Sequence, residues 1–429
     1  MKSEFRNSKY MNNKILKFPE NFLWGVSTSA YQIEGNNIND WSEWEKSEPR
    51  IKKLKLENKN LEDYVCGPAC DSYNRYEEDL ELIKNLNCKA YRLSIEWARV
   101  EPIKGEFNFA QINHYKQILQ ATKKRNLQVV LTLWHWTNPV WIAQAGGWAN
   151  KKTIDYFIQY VETIVKELGQ YVDFWITLNE PIVHVGFGYL YGKFPPCKKY
   201  DLLGAIIVYK NLVKAHKLTY NKIHQILSKS QVSFTSLTNY FEPASQANPL
   251  DRLAVAFAKY FYQENFFDQV AQYIDFVALD YYFHNRFSWL PPFKVNLNKK
   301  INDMGWEIYP AGIYHVLKSL SKFKKPIYIT ENGIADIGDN QRTEFIIDHL
   351  KYVHQAISEG VDVRGYFYWS LLDNFEWADG WLPKFGLYAV DRKTFKRMAR
   401  PSAKAYVEIC KNNEIIMGLS PNALSSRKF

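Results

Sequence analysis

The chain of 429 residues is poor in cysteine, and its five cysteines follow no pairing pattern. Cys66, Cys70, Cys88, Cys197 and Cys410 are odd in number, which excludes a disulfide framework and points to a reducing compartment. Cys66 and Cys70 lack a second pair or a nearby His, so loop thiols are expected there rather than a zinc site. No stretch of about 18 apolar residues occurs, which excludes a membrane-spanning helix. The N-terminal segment from Met1 to Phe22 lacks the apolar core of a signal peptide, and a cytoplasmic protein is expected. The segment after the first strand-like run, GVSTSAYQIEG, is no glycine-rich phosphate turn, which argues against a doubly wound dinucleotide fold. G-x-S-x-G is missing as well, so Ser27, Ser29 and Ser94 have no nucleophile elbow. No H-x-x-x-H pattern or Asp/His cluster occurs, and neither a metal nor an organic cofactor is expected. The formal charge is +10, but the lysines are scattered, with no basic helix and no interleaved aromatic-basic motif. A nucleic-acid partner is therefore not expected.

Aromatic residues are abundant: 14 Trp, 29 Tyr and 26 Phe make up 16% of the chain. Such residues fill cores and also line sites for flat apolar or sugar surfaces. Eight short β-type runs recur: 22–26, 90–95, 128–133, 174–178, 232–237, 276–280, 327–330 and 365–371. Helical periodicity separates them. Tyr76, Leu80, Ile83 and Leu86 fall on one face, as do Phe157, Tyr160, Val161, Ile164 and Val165. Strands alternating with helices predict a parallel sheet. Eight β-α units without a Ser/Gly-rich linker predict a single (β/α)8 TIM barrel over residues 16–412. Residues 1–15 read as a polar N-terminal extension and 413–429 as a polar C-terminal tail. The basic run Arg50 to Asn60 reads as a solvated loop.

A barrel of this kind draws its chemistry from the C-terminal ends of its strands. Those ends here carry Gln32 and Glu34, Arg92, Trp134-His135-Trp136, Asn179-Glu180, Asn239-Tyr240, Asp280-Tyr281-Tyr282, Glu331-Asn332, and Trp369 followed by Asp373, Glu376 and Trp377. Glu180 and Glu331 each end an apolar strand directly. Two such carboxyl groups suit glycosidic cleavage, in which one protonates the leaving oxygen and the other attacks or stabilises the oxocarbenium-like carbon. Arg92 is placed to hold Glu331 ionised, and an apolar surround to keep Glu180 protonated. Indole faces match the C–H faces of a pyranose, while Gln, Asn, Glu and His match its hydroxyls.

At these residues the chain resembles the family 1 glycoside hydrolases, the β-glucosidase and β-galactosidase group of retaining exo-enzymes. The resemblance runs from about Phe18 to Asn412 through NFLWGVSTSAYQIEG, DSYNRYEEDLELIKNL, YRLSIEWARVEP, TLWHW, TLNEP, ITENGI, YWSLLDNFEWADGW and KFGLYAVD, in that order. It implies Glu180 as general acid/base and Glu331 as nucleophile. By the same carry-over, Gln32, His135, Asn179, Glu376 and Trp377 hold the hydroxyls of the bound sugar. Arg92 and Tyr282 position Glu331, Trp369 floors the sugar, and Phe385 lines the pocket near the exocyclic carbon. The branch acting on 6-phosphorylated sugars carries a Ser-and-Lys grip where this chain has Glu376-Trp377, so non-phosphorylated substrates are implied.

One departure stands out: Asp280-Tyr281-Tyr282 replaces the usual Asn-Tyr-Tyr. An extra carboxylate beside Glu331 predicts a raised carboxyl pKa or a shared proton, with a shifted acid limb or weakened activity. The leading expectation is a retaining exo-β-glycosidase for a small β-glycoside. A non-catalytic sugar-binding barrel is the second reading, and transglycosylation uses the same residues.

Overall fold

The structure, a computed structural model, describes residues 15–417. Eight parallel strands close into a barrel: β1 (Leu23–Ser27), β2 (Ala90–Ser94), β3 (Gln128–Thr132), β4 (Phe174–Asn179), β5 (Gln231–Leu237), β6 (Val277–Asp280), β7 (Ile327–Asn332) and β8 (Val363–Trp369). They neighbour one another in chain order, and β8 pairs back onto β1 with Gly365 opposite Leu23 and Trp369 opposite Ser27. Each of the eight apolar runs read from the sequence is a barrel strand. Helices follow the strands in turn: α1 (Ser72–Asn85), α2 (Phe109–Lys124), α3 (Lys152–Leu168), α4 (Leu202–Ile226), α5 (Pro249–Lys259), α6 (Ala311–Leu320), α7 (Arg342–Ser358) and α8 (Pro401–Asn412). The amphipathic faces dock as their periodicity requires. Leu80 and Ile83 of α1 are buried, and so are Phe157, Tyr160, Val161, Ile164 and Val165 of α3.

Side chains alternate across a strand, so residues two apart share a face. The barrel interior follows that rule. A small apolar cluster that includes Leu23, Ala90, Val130, Ile176, Ala278 and Phe367 plugs it. Two positions further along their strands, Ala90 gives way to Arg92, Ala278 to Asp280 and Phe367 to Trp369. The plug thus sets a dry base under a polar upper layer. In β4 the pairing register shifts between Ile176 and Asn179, and in β7 between Ile329 and Glu331. Such irregularities re-aim side chains. Both lie immediately before the two strand-end glutamates.

Two expectations about the chain's edges are corrected. Glu414–Ile416 forms a strand antiparallel to Ile15–Lys17, so the folded body reaches past 412 and includes Ile15. Asn413 holds the pair together: it adopts a left-handed backbone and turns the chain back. Its amide donates to the Phe18 and Pro19 carbonyls, its side-chain oxygen accepts from the Trp24 indole, and Ile415 is buried. The rest of both terminal segments lies outside the described residues. The run from Arg50, read as a solvated loop, mostly belongs to a helix, Glu48–Leu56, with Arg50 and Leu54 buried. Among the described residues no helix is long and apolar enough to cross a membrane.

Gly333 follows β7 where its backbone meets that of β8, and a Cβ there would lie 1.8 Å from the Trp369 carbonyl oxygen. Gly333→Ala must displace backbone at the end of two barrel strands. A lowered thermal unfolding midpoint, or loss of soluble protein, is the expected outcome; a midpoint equal to that of the parent chain would contradict it.

Candidate active site

The C-terminal end of the barrel opens into a cavity of about 470 Å³. Its lining includes Gln32, His135, Asn179, Glu180, Tyr282, Glu331, Trp369, Glu376, Trp377 and Phe385. All ten were expected there from the strand-end reading or from the resemblance. Arg92 and Asp280 lie beneath, both fully buried.

Arg92 organises the base. Its Nη1 donates to Glu331 Oε1 and its Nη2 to Asn179 Oδ1, tying β2 to β7 and β4. Tyr282 OH donates to Glu331 Oε2 at 2.6 Å. Both Glu331 oxygens therefore accept hydrogen bonds, one of them from a guanidinium. Asn179 Oδ1 also accepts from Thr235 Oγ1 of β5 at 2.9 Å. Burial alone would lower the Arg92 pKa, but the charges of Glu331 and Asp280 outweigh it and raise it.

Glu180 stands differently. It follows β4 in a left-handed conformation (φ 41°), and its backbone N–H donates to the Thr235 carbonyl at 3.0 Å. Burial pushes its carboxyl well above the usual range, and the Asp280 and Glu331 carboxylates push it further in the same direction. Asp280 Oδ1 accepts from Thr330 Oγ1 at 2.7 Å, while Oδ2 is buried with no hydrogen-bond partner among the described residues. Burial first, then Glu331, raises the Asp280 carboxyl as well. One oxygen from each of Glu180, Asp280 and Glu331 lies within 4.8 Å of the others. Three carboxyl groups thus face a single guanidinium in a desolvated space, where like charges cannot all be carried at once.

The remaining wall is aromatic and amide. Burial, and then Arg92, hold the His135 imidazole far below its ordinary pKa, so it is neutral. Its ring stacks at 13° on Trp377 and 22° on Trp369. Gln32 donates to Asn374 Oδ1 at 3.0 Å and to the Phe375 carbonyl at 2.8 Å, which fixes its orientation. Glu376 has one buried oxygen without a partner, and burial, then Asp379 and Glu331, raise its carboxyl. Trp377 packs against Tyr31, Trp41 and Trp136. Tyr282, Trp369 and Phe385 form a separate apolar cluster with Ala335, packed by Met304 and Trp306. Thr137 and Asn138, after the Trp-His-Trp run, hold the loop by hydrogen bonds to Glu96 and Asp40.

Several lining residues escaped the sequence reading. Met304 and Trp306 come from the long segment between β6 and α6, Phe187 and Phe194 from that between β4 and α4. Neither segment has a periodicity that would aim a side chain. Arg50, Lys53 and Lys59 also line the cavity, although their run gave no such signal beyond its charge.

Residues 15–294 and 271–415 match the model of glycosyl hydrolase family 1. "Beta-glucosidase A" of Thermotoga maritima is 35% identical, an alignment that covers 93% of this chain and 99% of that protein. A "1,4-beta-D-glucan glucohydrolase" of Thermotoga neapolitana is also 35% identical, over 92% of this chain and 99% of its own length. Among solved structures, a β-glycosidase from Pyrococcus horikoshii superposes with a TM-score of 0.85 at 37% identity, covering 94% of this chain and 96% of its own. The β-glucosidase of T. maritima, solved in complex with glucoimidazole, gives a TM-score of 0.84 at 34% identity. On its barrel, its site and these likenesses, the chain belongs to glycosyl hydrolase family 1 and is a glycoside hydrolase.

Proposed function

We propose that the protein is a retaining exo-β-glycosidase that releases terminal β-D-glucosyl residues from small glycosides, with β-galactosyl and β-fucosyl residues as further substrates. The observation that carries this reading is the contrast between two neighbouring carboxyl groups: Glu331 is tied to Arg92 and Tyr282, and Glu180 is buried with no ion pair among the described residues. One is arranged to attack and the other to hold a proton. Glu180 gives its proton to the glycosidic oxygen while Glu331 attacks the anomeric carbon and displaces the leaving alcohol. Glu180, now a carboxylate, then takes a proton from water, and the resulting nucleophile releases the sugar from Glu331. Asn179 takes the 2-hydroxyl, a contact that strengthens as charge develops. Gln32, His135, Glu376 and Trp377 take the other hydroxyls, and Trp369 with Phe385 supports the ring. Glu376-Trp377 offers no cation where a 6-phosphate would need one, which supports unmodified sugars as substrates. No step calls on a metal or cofactor, and the action is cytoplasmic.

Asp280 belongs to this reading. Both oxygens of Glu331 already accept hydrogen bonds, so Asp280 couples more freely to Glu180, which has no such anchor. It raises the pH at which Glu180 loses its proton, and the acid stays loaded further into alkali. The effect of Asp280 therefore falls on the basic limb in addition to the acid limb expected from sequence.

Hydrolysis of 4-nitrophenyl β-D-glucoside, with retained anomeric configuration in the first-formed product, is the expected activity. Glu331→Ala should abolish it and regain turnover with azide, which fills the vacated space. Glu180→Ala should lose about 10²- to 10⁴-fold on an unactivated disaccharide and far less on a dinitrophenyl glucoside, whose departure needs no proton. Full disaccharide activity in both variants would sink the reading.

Asp280→Asn keeps the acceptor for Thr330 and removes the charge. The basic limb of kcat/KM should move to lower pH, because Glu180 loses a like-charged neighbour and deprotonates earlier. A pH–rate profile superimposable on that of the parent chain would show that Asp280 does not couple to the acid.

A further inference from the structure

The mouth of the cavity carries a buried cation without a carboxylate partner among the described residues. Arg50, 7% exposed, lines the cavity wall from the helix Glu48–Leu56. Its Nη2 donates to the Ala378 carbonyl at 2.7 Å, and its guanidinium lies 4.4 Å from the Trp44 ring and 5.4 Å from the Tyr64 ring. Its Nε is buried with no hydrogen-bond partner. Glu57 and Asp379 reach it only through space, and neither forms an ion pair with it. An unpaired buried charge is costly, and the two aromatic faces offset only part of that cost. Around it, Lys53 and Lys193 line the same wall, exposed and without a carboxylate partner among the described residues, while Lys59 is paired with Glu57 at 2.9 Å.

The cavity is therefore electrically graded. At its base burial holds Glu180 and Glu376, with Asp280 beneath, toward the neutral acid, and Glu331 is matched by Arg92; at its mouth four cations stand against Glu57 and Asp379. An exo-acting site holds the sugar at the closed base and the leaving portion at the mouth. A neutral sugar suits the carboxylates below. What suits the mouth is negative charge on the other half of the substrate.

We propose that Arg50, Lys53 and Lys193 form a subsite for an anionic group (a carboxylate, sulfonate or phosphate) on the leaving portion of the β-glycoside. This rests on the glycosidase reading above and names the class of substrate that reading leaves open. The anion supplies the partner Arg50 lacks, and the two lysines draw it to the mouth. The sugar pocket offers the same charge no unpaired cation among the described residues, so the preference is one-sided: anionic at the leaving group and neutral at the sugar.

The test compares two fluorogenic β-glucosides that release similar phenols, 4-methylumbelliferone and 7-hydroxycoumarin-4-acetate. The readout is the ratio of kcat/KM, carboxylated over neutral. At low ionic strength the ratio should exceed one by about fivefold, and it should fall toward one in about 0.5 M salt as exposed charges are screened. Lys53→Glu and Lys193→Glu, both at exposed positions, should each lower the ratio severalfold, and Arg50→Met should do so where that variant folds. A coumarin sulfonate glucoside shows whether charge alone is read: equal preference means that it is, and preference for the acetate alone narrows the subsite to carboxylates. A ratio at or below one at low salt overturns the proposal, and so does a high ratio that both lysine variants leave unchanged. Failure to hydrolyse either glucoside would instead overturn the glycosidase reading.

Discussion

Arg92 is the side chain on which the rest of the site depends. It is fully buried, and an isolated guanidinium in that position would be strongly unfavourable. Its two terminal nitrogens reach Glu331 on β7 and Asn179 on β4, so one cation sets the distance between strands on opposite sides of the barrel mouth. The register shifts in β4 and β7 serve that meeting: without them, alternation would turn Asn179 and Glu331 away from the interior. The apolar plug below removes water, which strengthens the ion pair and at the same time makes every other carboxyl in reach costly to ionise.

That second consequence separates the roles. Glu331 has two donors and Glu180 has no ion pair among the described residues, although both sit at strand ends in one cavity. The difference is one of wiring, since both are buried to a similar extent. The aromatic wall enforces it. His135 is stacked against Trp377 and Trp369 and kept neutral, so it adds hydrogen-bonding capacity without a second positive charge to stabilise a Glu180 carboxylate. Gln32 is fixed by Asn374 and the Phe375 backbone, so its amide is preorganised at the cavity wall.

The barrel was legible in the sequence because buried parallel strands read as short apolar runs, and all eight runs are strands. The ten cavity residues were legible because they lie at or just past strand ends, where topology alone fixes direction, or in motifs of the family. Trp306 and Met304 were not, since they hang from a long segment whose path depends on tertiary packing. Thr235 and Thr330 were hidden for another reason: inside a strand, a threonine that braces Asn179 or Asp280 looks like any β-branched strand former. Arg50 was misread because a basic run normally means a solvated face. Only Leu54, buried four residues later, and Trp44 and Tyr64 on either side explain why this guanidinium turns inward. The terminal strand pair was missed because three residues at each end give no periodicity, and the Asn413 turn that joins them contacts residues almost 400 positions away.

The way charge is balanced differs between the two ends of the cavity, and that difference has a physical origin. At the base, three carboxyl groups share one cation, so neutrality is reached by protons: a buried Asp280 with one oxygen on Thr330 and the other unpartnered is tolerated only because its charge, or that of Glu180, can be cancelled by a proton in place. At the mouth, a guanidinium cannot shed its charge at any ordinary pH, so the same device is closed to Arg50. Aromatic faces and one backbone carbonyl cover part of it, and among the described residues no carboxylate completes the cover. On the proposed reading the base answers to pH and the mouth to ionic strength, because the counter-charges are mobile protons at one end and fixed cations at the other.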